Sequence, residues 1–325
     1  MTIKKFLSDN KKKFSQQDLE FFLQKVLNCD KKFLFLNENF SIPKEKILEL
    51  EKFLEEKKQG FSVASIIGEK NFYGRKFFID KNVLVPREET EDMIAFLQGK
   101  IGGEFYLPEK KNFLDIGTGS GVIPITLILN MLEKETEGFF DGNFEVVEDI
   151  LGDIFIDEDE KNEFNKGVRA DIVTEFYSKN IFYASDISEK ALKVAKKNAK
   201  NFGVKIKFFQ LDLLKNLPKK LKNEGIFLIT ANLPYVEEKI KTDKTAKVDN
   251  GISMEPDLAL YSGEDGLQHY LQLFEELKDV KFKYLIMEMA PWQTDKIAKL
   301  YSYFGKTQVY LDLGGKKRGV FLKSQ

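Results

Sequence analysis

The stretch Phe113-Leu-Asp-Ile-Gly-Thr-Gly-Ser-Gly121 runs directly into an apolar segment, 122–132, with helical spacing. An apolar run, a glycine turn and a helix form a unit that brings backbone N–H groups close to a ligand. The same pattern also serves as a plain tight turn between a strand and a helix. Asp115 precedes the glycines at Gly117, Gly119 and Gly121. Its carboxylate would repel a pyrophosphate and suits a positively charged ligand that carries an amino acid. Thr118 and Ser120 fill the positions between the glycines.

Strands and helices continue to alternate along the chain, without an internal repeat. Residues 181–186 read as a strand that ends in Asp186, and Ser188 is placed to cap a helix over 189–202, which Gly203 ends. An acid at the end of the second strand of such a unit accepts hydrogen bonds from ribose hydroxyls. Residues 205–210 are a third strand, followed by Asp212 and Leu213. Those two either rest against a nucleoside base or, for Asp212, cap a loop. A fourth strand covers 225–231 and a fifth 283–289. Two more, 307–313 and 319–322, are joined by Gly314-Gly-Lys-Lys-Arg318 as a terminal hairpin. This order predicts an α/β fold with a doubly wound, mostly parallel seven-stranded sheet and an antiparallel edge hairpin.

The fourth strand leads into Asn232-Leu233-Pro234-Tyr235. An Asn side-chain oxygen and the next carbonyl are two acceptors that can hold the two N–H bonds of a planar –NH2 group. Pro234 restricts Leu233 to extended conformations and so helps aim that carbonyl. Tyr235 can stack on the planar group. The competing reading of the tetrad is an ordinary turn from strand to loop.

Residues 1–67 alternate apolar and charged positions at helical spacing, with one stripe at Leu19, Phe22, Leu23, Val26 and Leu27 and another at Ile47, Leu50, Phe53 and Leu54. Ser41 and Pro43 mark a helix start, with Ser41 as the cap. The pattern predicts a small helical domain over 1–67, a hairpin linker over 68–86 built from runs at 77–79 and 83–85, and a large domain over 87–325. Helical spacing resumes over 90–97. Residues 133–178 break the alternation as an acidic insert, with short helices over 144–156 and 168–177.

The formal net charge of −1 conceals an asymmetry. Residues 133–180 hold 15 acids and 5 bases, so the remainder carries 46 bases against 37 acids. The body is mildly basic, with no Arg-rich groove for nucleic acid. A single cysteine, Cys29, rules out an internal disulfide framework, and a single histidine, His269, argues against His-based metal ligation or a Ser-His-Asp triad. His269 reads as structural. The charged start of the chain lacks a signal-peptide core, and no apolar run approaches the roughly 20 residues of a membrane span. The expected location is the cytoplasm.

Taken together, Phe72-Tyr-Gly-Arg75, Val83-Leu-Val-Pro-Arg-Glu-Glu-Thr-Glu91, the glycine turn, the tetrad and Glu255-Pro-Asp-Leu-Ala-Leu260 resemble the release-factor glutamine methyltransferase family (HemK/PrmC), within the class I S-adenosylmethionine-dependent fold. The resemblance spans nearly all of the chain outside 133–178. The glycine turn is common to many methyltransferases, whereas the Pro-Arg-x-x-Thr-Glu and Glu-Pro-x-x-Ala-Leu stretches are far more specific. Leu233 replaces the family's first Pro of the tetrad, and Glu88 replaces the Pro after Arg87.

The resemblance implies methyl transfer from S-adenosylmethionine to the side-chain amide of the Gln in the Gly-Gly-Gln motif of a peptide chain release factor, which would be the protein partner. It implies cofactor binding at Asp115, Gly117, Thr118, Gly119, Ser120, Gly121, Asp186, Asp212, Leu213 and Asn232, and chemistry at Asn232, Leu233, Pro234 and Tyr235, with no metal. Arg87 and Glu91 either pair to shape the glutamine pocket or form a structural salt bridge at the linker. Two other readings stay open. Asn-Leu-Pro-Tyr also occurs in rRNA adenine dimethylases, which would make the substrate an exocyclic amine of nucleic acid. The chain could also be a non-catalytic binding protein that has kept the fold.

Overall fold

The computed structural model describes residues 1–136, 163–242 and 254–325. Five helices come first: α1 (Ile3–Asn10), α2 (Gln16–Leu27), α3 (Lys31–Leu36), α4 (Lys44–Lys58) and α5 (Val63–Ile67). Side-chain oxygens of Thr2, Ser15, Asp30 and Ser62 cap four of them, satisfying N–H groups that a helix start leaves free. The predicted stripes meet here: Leu19, Phe22, Leu23 and Val26 of α2 pack with Leu50, Phe53 and Leu54 of α4 in one apolar cluster. Ser41 does not cap α4. Pro43 occupies that position, and Ser41 pairs with Thr2 in an isolated bridge.

A two-stranded hairpin follows, β1 (Glu69–Phe72) and β2 (Arg75–Phe78). Its turn is Tyr73-Gly74, with φ of 51° and 76°, the left-handed pair that matches the twist of a tight hairpin. The predicted strand over 83–85 is absent. Asp80 Oδ1 accepts the Asn82 N–H at 2.8 Å, a local turn that diverts the chain before a ladder can form. Val83 and Val85 are buried all the same.

The sheet is built from β3 (Lys111–Ile116), β4 (Asn180–Asp186), β5 (Lys207–Gln210), β6 (Ile226–Asn232), β7 (Phe282–Glu288), β8 (Gly305–Leu311) and β9 (Lys317–Ser324). The strand order is β5-β4-β3-β6-β7-β9-β8, parallel except for β9, which runs antiparallel to both neighbours. This is the predicted doubly wound sheet with its antiparallel edge. Every residue of β3 is buried, as expected of a central strand covered on both faces. Phe113 points into one apolar cluster, and Leu114 and Ile116 into the other.

Helices α6 (Glu88–Phe105), α7 (Val122–Thr136), α8 (Glu163–Lys179), α9 (Glu189–Asn201), α10 (Lys219–Glu224), α11 (Glu238–Thr242), α12 (Asp257–Leu260), α13 (Gln268–Leu277) and α14 (Thr294–Tyr301) complete the described elements. The predicted helix over 168–177 falls within α8, and the one over 144–156 lies outside the described residues. The short α10 lies in the β5–β6 connection, where no helix is predicted. Among the described residues, no helix is long and apolar enough to cross a membrane.

Two pairings place the site. Ile116 of β3 lies opposite Ser185 of β4 and Ala231 of β6. Gly117, Asp186 and Asn232 are the next residues on each strand, so they emerge together at the carboxyl edge. Asn198 of α9 ties the hairpin to this edge. Its Oδ1 accepts the Phe78 N–H at 2.8 Å, while its Nδ2 donates to the carbonyls of Phe78 at 2.9 Å and Ser120 at 2.8 Å.

Asn198 is fully buried, so removing its amide would strand three backbone groups away from water. Asn198→Ala should lower the unfolding free energy by about 3–5 kcal/mol. Chemical denaturation with two independent probes measures this, and a loss within experimental error would refute the bridging role.

Candidate active site

An open cavity of ≈ 1120 Å³, its solvent-filled mouth included, lies at the carboxyl edge where β3 separates β4 from β6. Gly117, Thr118, Gly119 and Ser120 line one wall, and Asp186, Ile187, Asp212 and Leu213 another. Asn232, Leu233 and Pro234 line it from the end of β6. Arg87 and Thr90 reach it from the start of α6, and Pro256, Leu258 and Ala259 from α12 and its N-cap. This is the crevice in which open α/β sheets hold ligands.

The glycine turn is held from below. The Thr118 N–H donates to the Ser185 carbonyl at 2.9 Å, and the Gly119 N–H to Asp186 Oδ2 at 2.9 Å. Gly119 has φ 54°, and a Cβ there would meet nothing within 4 Å, so the backbone lies open to a ligand. Gly121 has a different reason to be glycine. A Cβ would come within 3.2 Å of the Ala195 Cβ on α9, so the residue serves helix packing and does not line the cavity.

Asp186 accepts two backbone N–H bonds, from Gly119 and from Ser188 at 2.8 Å, which fix its carboxylate. Burial nevertheless holds its pKa above the usual carboxylate range. Leu213 has φ 50°, a left-handed backbone that costs a leucine about 1–3 kcal/mol and is retained here in the cavity wall.

Asp115 is fully buried and does not line the cavity. Its side chain turns toward β6, where Oδ1 accepts the Thr230 hydroxyl at 2.6 Å. Burial pushes the carboxyl up to about 7, the Thr230 and Thr118 hydroxyls oppose this, and Asp186 adds to it.

The Asn232 amide is held by Thr90, which lies in the Pro-Arg-x-x-Thr-Glu stretch but had no role from sequence, and through it by Glu288, which sequence reasoning did not single out. The Asn232 Nδ2 donates to Thr90 Oγ1 at 3.1 Å, and the Thr90 hydroxyl donates to Glu288 Oε2 at 2.7 Å. With Nδ2 engaged, Oδ1 is left as the side chain's acceptor. Glu288 ends β7 and is fully buried. Burial pushes it up to about 7, against the Thr90 hydroxyl and Arg318, while Glu89 pushes the same way as burial. The one hint in the sequence is an acid closing the apolar run of the fifth strand.

Tyr270 is another residue of this kind. Its one hydroxyl proton is shared between the Glu288 carbonyl at 2.5 Å and the Leu233 carbonyl at 3.1 Å, the shorter bond being the stronger. The Leu233 carbonyl thus takes only the weaker share of that proton and keeps lone-pair capacity for a ligand. Leu233 itself is buried and packs on the glycine turn, since a Cβ at Gly117 would lie 3.2 Å from Leu233 Cδ2.

Three expectations require correction. Arg87 does not pair with Glu91. Its Nη2 donates to both oxygens of Glu255 at 2.7 and 2.8 Å, joining the two loops above the cavity. Glu91 accepts the Tyr73 N–H at 2.8 Å and so holds the hairpin turn, outside the cavity. Tyr235 does not line the cavity either: it packs against the cluster that contains Tyr270 and Ile297, and its carbonyl accepts Gln293 Nε2 at 3.1 Å. His269 does line it, with Nδ1 2.7 Å from Ser262 Oγ, and burial holds its pKa below the usual value.

A family model described as the PrmC N-terminal domain matches residues 2–68. The release factor glutamine methyltransferase of Bacillus subtilis (strain 168) is 30% identical over 284 residues, covering 86% of this chain and 81% of that protein. The corresponding protein of Dictyoglomus turgidum is 31% identical over 282 residues, 86% of this chain and 79% of its own. That of Bacillus cereus is 29% identical over 311 residues, with coverage of 94% and 92%.

Asp115, Glu288 and Glu255, the last despite its pairing with Arg87, are all pushed by burial up to about 7, and make stability depend on pH. Their neutral forms are favoured in the folded chain, so the contribution is complete below the ordinary values of 3.8 for Asp115 and 4.5 for Glu288 and Glu255. It is lost as pH rises through about 7. The unfolding free energy of the ligand-free protein should therefore fall between about pH 4 and about pH 8, and Asp115→Asn should flatten the fall. Denaturant titrations across that range test this, and an unchanged slope in the variant would contradict it.

Proposed function

The chain belongs to the release factor glutamine methyltransferase family, and on that premise we propose that it methylates the side-chain amide of the Gln in the Gly-Gly-Gln motif of a peptide chain release factor. The observation that carries this reading is Asn232. Its amide is oriented by Thr90, and it shares a cavity with the glycine turn and Asp186.

S-adenosylmethionine, when bound, supplies a methyl group on a positively charged sulfur. The cavity suits such a ligand. The open backbone at Gly119 admits close approach, with Gly117, Thr118 and Ser120 beside it. Asp186, fixed by two backbone N–H groups, keeps lone pairs for ribose hydroxyls. Asp212 and the strained Leu213 form a wall for the base. Asp115 acts from behind the turn by tying β3 to Thr230 of β6, and Gly121 by keeping the turn close to α9.

A glutamine amide nitrogen is a weak nucleophile because its lone pair is delocalised into the carbonyl. Asn232 Oδ1 and the Leu233 carbonyl hold its two N–H bonds, which orients the nitrogen and stabilises positive charge as it develops there. The alkylated amide is acidic enough to lose its proton to water afterwards, so no side-chain base is required. Pro234 restricts the backbone of Leu233. Tyr235 supports the tetrad from behind, and Arg87 with Glu255 shapes the mouth.

The direct test is mass spectrometry of the release factor's Gly-Gly-Gln peptide after incubation with this protein and S-adenosylmethionine. A gain of one methyl group on the Gln is expected, and its absence would overturn the reading. Labelled cofactor with ribosomal RNA in place of the release factor tests the exocyclic-amine alternative. Asn232→Ala should reduce turnover roughly 100- to 1,000-fold, the loss typical of one aimed polar group. Turnover near that of the unaltered enzyme would remove Asn232 from the mechanism.

A further inference from the structure

We infer that Thr90 and Glu288 are positioning residues: they set which way round the Asn232 amide is held, and hence whether an acceptor or a donor is offered to the substrate nitrogen. The inference rests on the reading of Asn232 given above and adds two residues to it.

The argument is one of hydrogen-bond direction. An ionised carboxylate only accepts, and a hydroxyl has one proton to give. With Glu288 Oε2 at 2.7 Å, the Thr90 hydroxyl must donate to it, which leaves only lone pairs on Oγ1 for the next partner. That partner, 3.1 Å away, must then be the –NH2 end of Asn232. The chain of donors thus runs from Asn232 through Thr90 to Glu288 and turns Oδ1 away from Thr90. Thr90 and Glu288 are 2% and 1% exposed, so water does not compete for these bonds.

A proton on Glu288 removes the constraint. The carboxyl can then donate to Thr90, the Thr90 proton becomes free for Asn232 Oδ1, and the amide can be held the other way round. Nδ2 would then meet the substrate's own N–H bonds, donor against donor. Besides Thr90 and the Asn232 amide itself, which both favour the ionised form, the groups facing Glu288 are Arg318 on β9, Glu89 on α6, Tyr270 on α13, Tyr310 on β8, and Tyr235 just past β6. Arg318 is the cation among them, and it is shared with Glu89 and Asp312. Burial keeps Glu288 titrating at about 7, within reach of an assay.

The test measures kcat and KM for methyl transfer to the release factor, together with S-adenosylmethionine affinity by calorimetry. Thr90→Val keeps the shape of the side chain and removes the relay. It should lower kcat roughly 10- to 100-fold, the range for a lost orienting partner, with cofactor affinity unchanged. Thr90→Ser, which retains the hydroxyl, should restore most of the rate. The unaltered enzyme should lose turnover as pH falls from about 8 to about 6, and Glu288→Gln should abolish the part of that fall due to Glu288, leaving a shallower profile.

Wild-type kcat in Thr90→Val would overturn the inference, as would an unaltered acid limb in Glu288→Gln. If Thr90→Val loses cofactor binding through misfolding, the pH profile of Glu288→Gln decides. Failure of the unaltered enzyme to methylate the release factor would count instead against the glutamine reading.

Discussion

Parallel pairing of β3 with both β4 and β6 is the constraint on which the rest of this molecule depends. In a parallel sheet all strands end on the same edge, and a shared register brings the next residue of each to the same level. Here that arrangement gathers a glycine turn, an acid and an asparagine from distant parts of the chain. The side-by-side placement follows from backbone hydrogen bonds alone. Side-chain chemistry then refines what the edge presents.

Refinement comes largely from groups that never face the cavity directly. Asp115 and Glu288 sit on strands whose ends form the site, both buried and both shifted toward neutrality. Removing a carboxylate from water without a full counter-charge is costly, and proteins most often tolerate it where the group does work for a neighbour. Tyr270 joins two strand ends by directing one hydroxyl at the carbonyls of Leu233 and Glu288. Its role follows from where β6 and β7 stop.

The strands, the glycine turn and the tetrad were legible because each is a local pattern: an apolar run, a punctuating glycine, and a polar residue where the run ends. The link between the two segments was legible only as a hairpin. Its register depended on Tyr73 entering the left-handed region, which no propensity favours for tyrosine. Thr90 was legible as a motif residue but not by its role, and Glu288 was not legible as part of the site. Nothing in the spacing of two residues so far apart in sequence announces a hydrogen bond between them. The expected pairing of Arg87 with Glu91 failed for the same reason, because a nearer acid in sequence gave way to Glu255 across the cavity.

Leu233 stands where the resembling family carries a proline, so the rigidity a ring would confer must come from elsewhere. In this fold it comes from the phenol of Tyr270 on one side and from the glycine turn on the other. Because a Cβ at 117 would lie 3.2 Å from the Leu233 Cδ2, the two loops press on one another. A side chain added at 117 would have to push the leucine aside, which couples the turn to the tetrad despite their separation along the chain.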